Sequence, residues 1–131
     1  MTTGQNNPLA ELYTQSGPVN IEEIASSLKR FVSIQNNTDK IFLKDYGLNL
    51  TAVQKILAYA LTKKMLKETG KILKSSISGS EIELEIGLKR GTIDPTFKTL
   101  KERGLLLGTN KDYEIPNSSI KEIIDDFKKI K

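Results

Sequence analysis

Between Lys89 and Arg103 the chain sets cations and hydroxyls around an apolar stripe. Ile93, Phe97 and Leu100 recur at i, i+4 and i+7, the spacing of one helix face. With those three turned inward, Gly91, Thr92, Pro95, Lys98, Thr99 and Glu102 point outward, Thr96 and Arg103 lie on the flanks, and Lys89 and Arg90 stand at the helix entrance. Lysine and arginine grouped in this way neutralise phosphates, and the counterions so released drive binding to nucleic acid. Arginine is the residue here whose paired donors select guanine, while glutamine and asparagine, which select adenine, are missing from the face. Direct base discrimination is therefore expected to be small. Asp94 and Glu102 would repel phosphates and must tilt away or meet a base amino group.

The formal net charge is +4, and its location matters more than its size. Residues 61–104 hold ten cations against six anions, whereas the segments before and after each balance five with five. A solvated lysine surface explains the composition equally well; the placement favours nucleic acid. Lys63, Lys64, Lys67 and Lys71 either follow a phosphate backbone or are simply solvated.

Enzymatic chemistry is not expected. Histidine and cysteine are absent, which removes the commonest general base, thiolate nucleophiles and the usual transition-metal ligands. There is no glycine-rich phosphate loop and no serine-centred elbow. Carboxylate pairs such as Asp125-Asp126 fall on the polar side of an amphipathic helix, where solvation accounts for them. No cofactor, metal centre or small-molecule ligand is expected. The lack of cysteine fits a reducing compartment. The first 17 residues lack the basic start and apolar run of a secretory signal. No stretch reaches the roughly 18 apolar residues of a membrane span. A cytoplasmic location without membrane contact is the expectation.

The elements that must position these residues follow from capping and periodicity. A length of 131 residues with 37% hydrophobic content suits one core. Residues 1–19 read as a flexible polar tail, with Leu9, Leu12 and Tyr13 as a docking turn or a frayed terminus. Residues 20–49 read as an N-terminal helical extension, and 50–131 as the main domain. Asn20 with Glu23 caps a helix over 21–34, Gln35-Asn36-Asn37 breaks it, and a second short helix over about 39–46 carries Ile41, Phe42 and Tyr46 before Gly47. Thr51 with Gln54 opens a helix from 52 to 69 that closes at Gly70.

Ser78 with Glu81 opens a short helix up to Gly87. The alternation of Ile82, Leu84, Ile86 and Leu88 with acids also admits a half-buried strand. Helix is favoured because glutamate and leucine are good helix formers. Pro95 requires the next helix either to kink or to start late with Asp94 as its cap. That helix stops at Gly104, and Leu105 to Ile115 then form a hairpin. Ser119 with Glu122 caps a last helix whose stripe is Ile120, Ile123, Ile124, Phe127 and Ile130.

This order resembles the winged helix-turn-helix family, particularly the small prokaryotic and archaeal transcriptional regulators. The resemblance rests on S-x-x-E-I at Ser78 to Ile82, I-G-L at Ile86 to Leu88, R-G-T-I at Arg90 to Ile93, L-K-E-R-G at Leu100 to Gly104, and the hairpin. It covers roughly residues 50 to 130. Glu83 departs from it, standing where the family usually has a small residue. The resemblance implies a mainly α fold with a small β-hairpin wing and flanking N- and C-terminal helices. It also implies sequence-preferring binding of double-stranded DNA by a transcriptional regulator. Arg90, Thr92, Lys98 and Thr99 would reach the major groove, with Lys89, Thr96 and Arg103 beside them and Lys111 at the wing tip on an adjacent groove or phosphate. Helices flanking such a unit often pair two subunits, so Ile21, Leu28, Ile120, Ile124 and Phe127 are the candidate surface of a homodimer with half-sites about one DNA turn apart. The alternative is that both stripes fold back on their own domain. The rival function is a winged-helix protein interaction module without nucleic acid contact.

Overall fold

The computed structural model describes residues 20–109 and 112–130. The fold is mainly helical, with two small antiparallel hairpins. Helix α1 (Ile21–Leu28) starts where expected, with the Asn20 carboxamide oxygen accepting from the Glu23 N–H at 3.0 Å. It stops six residues earlier than its apolar spacing suggested. Val32–Ile34 is instead strand β1, paired with β2 (Ile41–Leu43) through Val32↔Leu43, Ser33↔Phe42 and Ile34↔Ile41. The expected helix over 39–46 is thus replaced by β2 and a 3-10 turn at Asp45–Asn49. β-Branched Val32, Ile34 and Ile41 favour extended backbone once a partner strand can satisfy the ladder. Gly47 is not a helix stop either; its Cα packs on the Phe31 carbonyl, where a Cβ would collide.

Helix α2 (Ala52–Glu68) has both halves of its capping box: Thr51 Oγ1 accepts from Gln54 N–H at 3.2 Å, and Gln54 Oε1 from Thr51 N–H at 2.9 Å. Residues Ile56 to Thr62 are buried without interruption, and this helix is the axis against which α1, the first hairpin and the two helices of residues 79–102 pack.

Helix α3 (Gly79–Ile86) settles the 81–88 ambiguity in favour of helix. Ser78 caps it through the Glu81 N–H, and Gly87 at φ 83 ends it in a left-handed turn that a side chain would strain. Helix α4 (Arg90–Glu102) begins before Pro95 and continues through it, so the late start at Asp94 does not occur. Proline cannot donate to the Gly91 carbonyl, but Gly91 and Pro95 are both exposed and water can replace the lost donor. Gly104 at φ 77 closes the helix.

Strands β3 (Leu107–Thr109) and β4 (Asp112–Glu114) form the second hairpin. Ile77 adds a third position to it, exchanging both backbone hydrogen bonds with Tyr113 at 2.6 and 2.8 Å. A 3-10 turn at Asn117–Ser119 leads into α5 (Ile120–Lys128). Ser119 does not cap α5; its hydroxyl donates to the Gly104 carbonyl at 2.9 Å and ties the end of α4 to the start of α5.

One core joins all five helices. The stripe on α5 is covered from within the chain: Ile120, Ile124, Phe127 and Leu28 are buried, Ile21 is half-buried, and the Phe31 and Phe127 rings lie 5.7 Å apart. Of the five residues read as a dimer surface, Leu28, Ile120, Ile124 and Phe127 are thus buried in the chain's own core, and Ile21 is half-buried. Residues 20–49 form a helix, a hairpin and a 3-10 turn, in place of the all-helical extension expected. The 1–19 tail lies outside the described residues. Among the described residues no helix is long and apolar enough to cross a membrane.

Candidate nucleic-acid interface

The periodicity that buries Ile93, Phe97 and Leu100 leaves the other side of α4 open. Lys89, Thr92, Lys98, Thr99, Glu102 and Arg103 are exposed, as the helix wheel required. Among the described residues, Lys89, Lys98, Lys101 and Arg103 make no ion pair. Of the two acids on this helix, Glu102 stands exposed among them and Asp94 is paired with Arg90.

Two of the expected contact residues are otherwise engaged. Thr96 is half-buried and donates to the Thr92 carbonyl of its own helix at 2.7 Å. Arg90 folds back over the start of α3: its guanidinium meets Asp94 at 3.3 Å and Ser80 at 3.4 Å, and a Cβ on Gly79 would lie 2.9 Å from its Cζ. Arg90 thus clamps α3 to α4 and also takes up Asp94, one of the two acids expected to repel phosphate. The pair is exposed and weak, so Arg90 can exchange it for another anion at little cost. Lys111, expected at the hairpin tip, lies outside the described residues.

Behind the surface, two polar ties fix the orientation of these elements. Glu81 Oε2 accepts from the Tyr59 hydroxyl at 2.6 Å and from Lys63 Nζ at 2.7 Å, and Lys63 also donates to the Ser76 carbonyl at 2.7 Å. Burial first, and then the nearby Glu81 carboxylate, push the Tyr59 hydroxyl far above its ordinary range, so it stays a donor. On the next face of α2, Glu114 takes Ser75 Oγ and, at 3.4 Å, Lys64. The Ser75 hydrogen bond, followed by the Lys64 charge, holds the Glu114 carboxyl below the usual carboxylate range.

Lys63 and Lys64 are therefore internal fasteners, neither aligned to a phosphate backbone nor freely solvated. Glu81 was legible only as a capping residue; its side chain leaves the capping box to reach α2. A signal was present in the adjacent lysines of an otherwise apolar helix stretch, because a buried helix carries such charges only when they are paired. Phe97 completes the support by packing on Tyr113 of β4, ring centroids 4.6 Å apart.

Among the described residues, no group of three or more acidic, histidine or cysteine side chains could hold a metal ion. No family model, curated protein or solved structure matches the chain.

Proposed function

We propose that the chain is a winged helix-turn-helix protein that binds double-stranded DNA through α4, and that it regulates transcription by occupying its site. The observation carrying this reading is the unpaired cationic side of α4, braced from behind by α3 and the β3–β4 hairpin. The order α2, Ile77 strand position, α3, α4 and hairpin supports it, as does the pairing of Ile77 with β4. Lys98 and Thr99 are the groove-facing pair in this reading. Lys89 and Arg103 hold phosphates at the two ends of the helix, and Arg90 joins them by releasing Asp94. Lysines dominate this set, so backbone contacts outweigh base readout and discrimination between sequences is small.

Duplex binding measured over a salt series tests the proposal. Log affinity should fall linearly with log salt, and Lys98→Ala and Lys89→Ala should each lower the slope by about 1 with the fold intact. Absence of binding to any duplex at low salt would overturn it and leave the protein-interaction module as the reading.

A further inference from the structure

Among the described residues the core leaves two aromatic side chains outside, Phe42, 42% exposed, and Tyr46, 58% exposed; the others are buried or half-buried. Both belong to the first hairpin and the turn that follows it. Alternation along β2 turns Ile41 and Leu43 inward and leaves Lys40, Phe42 and Lys44 on the opposite face. The ladder continues past its last strand pair: Ser33 faces Phe42, Val32 faces Leu43, and the Lys44 N–H donates to the Phe31 carbonyl at 2.9 Å. That rung brings Arg30, next to Phe31, up to the residues after β2, where its guanidinium lies 5.4 Å from the centre of the Tyr46 ring. Lys40 Nζ lies 5.3 Å from the centre of the Phe42 ring. Two pairs of ring and cation therefore stand on one ribbon, with Lys44 between them in the chain. Residues 29–46 carry four cations, Lys29, Arg30, Lys40 and Lys44, against Asp39 and Asp45. None of the four makes an ion pair among the described residues. Arg30 donates one N–H to the Ile130 carbonyl at 2.7 Å, which anchors the guanidinium and leaves further donors for an anion.

We propose that the β1–β2 hairpin is a surface for single-stranded nucleic acid, on which unpaired bases stack on Phe42 and Tyr46 while Lys40, Lys44 and Arg30 hold the phosphates beside them. Four residues of chain keep the two aromatic positions within about 14 Å of each other, so one short strand can meet both. Every base offers a π-face, and stacking of this kind tolerates sequence; the cations beside the rings add attraction. A duplex cannot use the rings, because its bases are stacked on one another and show only their edges in the grooves. An apolar protein partner would bury the cations over both rings without a counter-charge, whereas a strand gives each a phosphate. This surface is distinct from the open side of α4, so either interface can hold while the other fails.

Fluorescence anisotropy of a labelled oligothymidylate of about 12 nucleotides, titrated with the full chain, provides the test. The wild type should bind at low salt. An abasic strand of the same length, which keeps the phosphates and lacks the bases, should bind about tenfold more weakly or worse. Phe42→Ala and Tyr46→Ala should each weaken binding roughly tenfold, while Tyr46→Phe, which keeps the ring, should bind as the wild type does. All three should still melt cooperatively, since these side chains lie outside the core. Lys40→Ala and Lys44→Ala should each lower the slope of log affinity against log salt by about 0.7. Affinity for a duplex should be unchanged in the ring variants, and Lys98→Ala should leave affinity for the strand unchanged. Failure to bind the strand at low salt overturns the assignment, as does equal affinity for the abasic strand or wild-type affinity in both alanine variants. An equal loss on strand and duplex in the ring variants would also overturn it, by making the hairpin part of a duplex surface.

Discussion

The seam between α1 and α5 and the seam between α2 and α3 are built on opposite principles. The first is apolar at its centre, with Ile24, Leu28 and Phe31 against Ile120, Ile124 and Phe127, and its charges, Glu23 with Lys121 and Lys128, stay at the rim. The second carries a carboxylate inside it, with Glu81 taking a hydroxyl and an ammonium from the central helix. Apolar contact is non-directional and proportional to area, so it can cover a helix without dictating one orientation. A hydrogen-bonded charge accepts only a narrow geometry. The chain uses the directional device under α3, the helix that braces α4, and the non-directional one where a terminal helix only has to be covered.

The largest effect should come from the apolar seam. Phe127→Ala removes a buried ring packed at a tilt against Phe31 and should cost about 3–5 kcal/mol in urea unfolding, with all probes lost together. If the variant stayed folded with unchanged stability, the covering role of α1 would be refuted. Next, Glu81→Ala strands the largely buried Lys63 ammonium and the Tyr59 hydroxyl, and should cost about 1–3 kcal/mol. Hydrogen exchange should distinguish the two: Glu81→Ala should lower protection selectively in α3 and the start of α4, whereas Phe127→Ala lowers it everywhere. Uniform loss in both variants would erase the contrast between the seams.

Acid should loosen the rims. The Lys128 hydrogen bond, followed by the charges of Lys121 and Lys128, holds the Glu23 carboxyl below its ordinary 4.5, and Ser75 with Lys64 does the same for Glu114. A carboxyl whose folded value is depressed contributes stability that is complete above the unfolded value and disappears as pH falls through the folded one. The melting temperature should therefore drop as pH falls below about 4.5. Glu23→Gln and Ser75→Ala should each make that drop shallower; an unchanged acid profile in both would show that these pairs contribute nothing. The smallest effect belongs to Arg90→Ala. It breaks an exposed ion pair and should shift stability by about 0.5 kcal/mol or less. Any larger loss of duplex affinity would then report contact and not folding.

What was legible in the chain depended on how local its cause was. Asn20, Thr51, Ser78, Gly70, Gly87 and Gly104 mark helix ends because caps and left-handed turns are decided within four residues. The exposed face of α4 was equally legible, since the burial of Ile93, Phe97 and Leu100 dictates it. The first hairpin was not, because Ile24, Leu28 and Phe31 keep helical spacing past the true end of α1 and only the partner strand Ile41–Leu43 makes extension favourable. Ser119, Arg90, Thr96 and Glu81 show the same limit among side chains. Each had a plausible local or outward role; Ser119, Arg90 and Glu81 were claimed by partners that the sequence does not place beside them, and Thr96 by the carbonyl one turn back in its own helix.

By itself the amino-acid sequence determined where helices α2 to α5 lie, which side of α4 faces solvent, and that its charge excess gathers in residues 61–104. Those properties follow from periodicity, capping and composition, which act over a few bonds. Only the tertiary structure decided that α1 covers α5, that Lys63 and Lys64 are fasteners, and that Arg90 reaches across to Ser80 of α3. These outcomes depend on long-range burial and on pairing of buried or shielded charges, whose free energies exist only once distant segments have met.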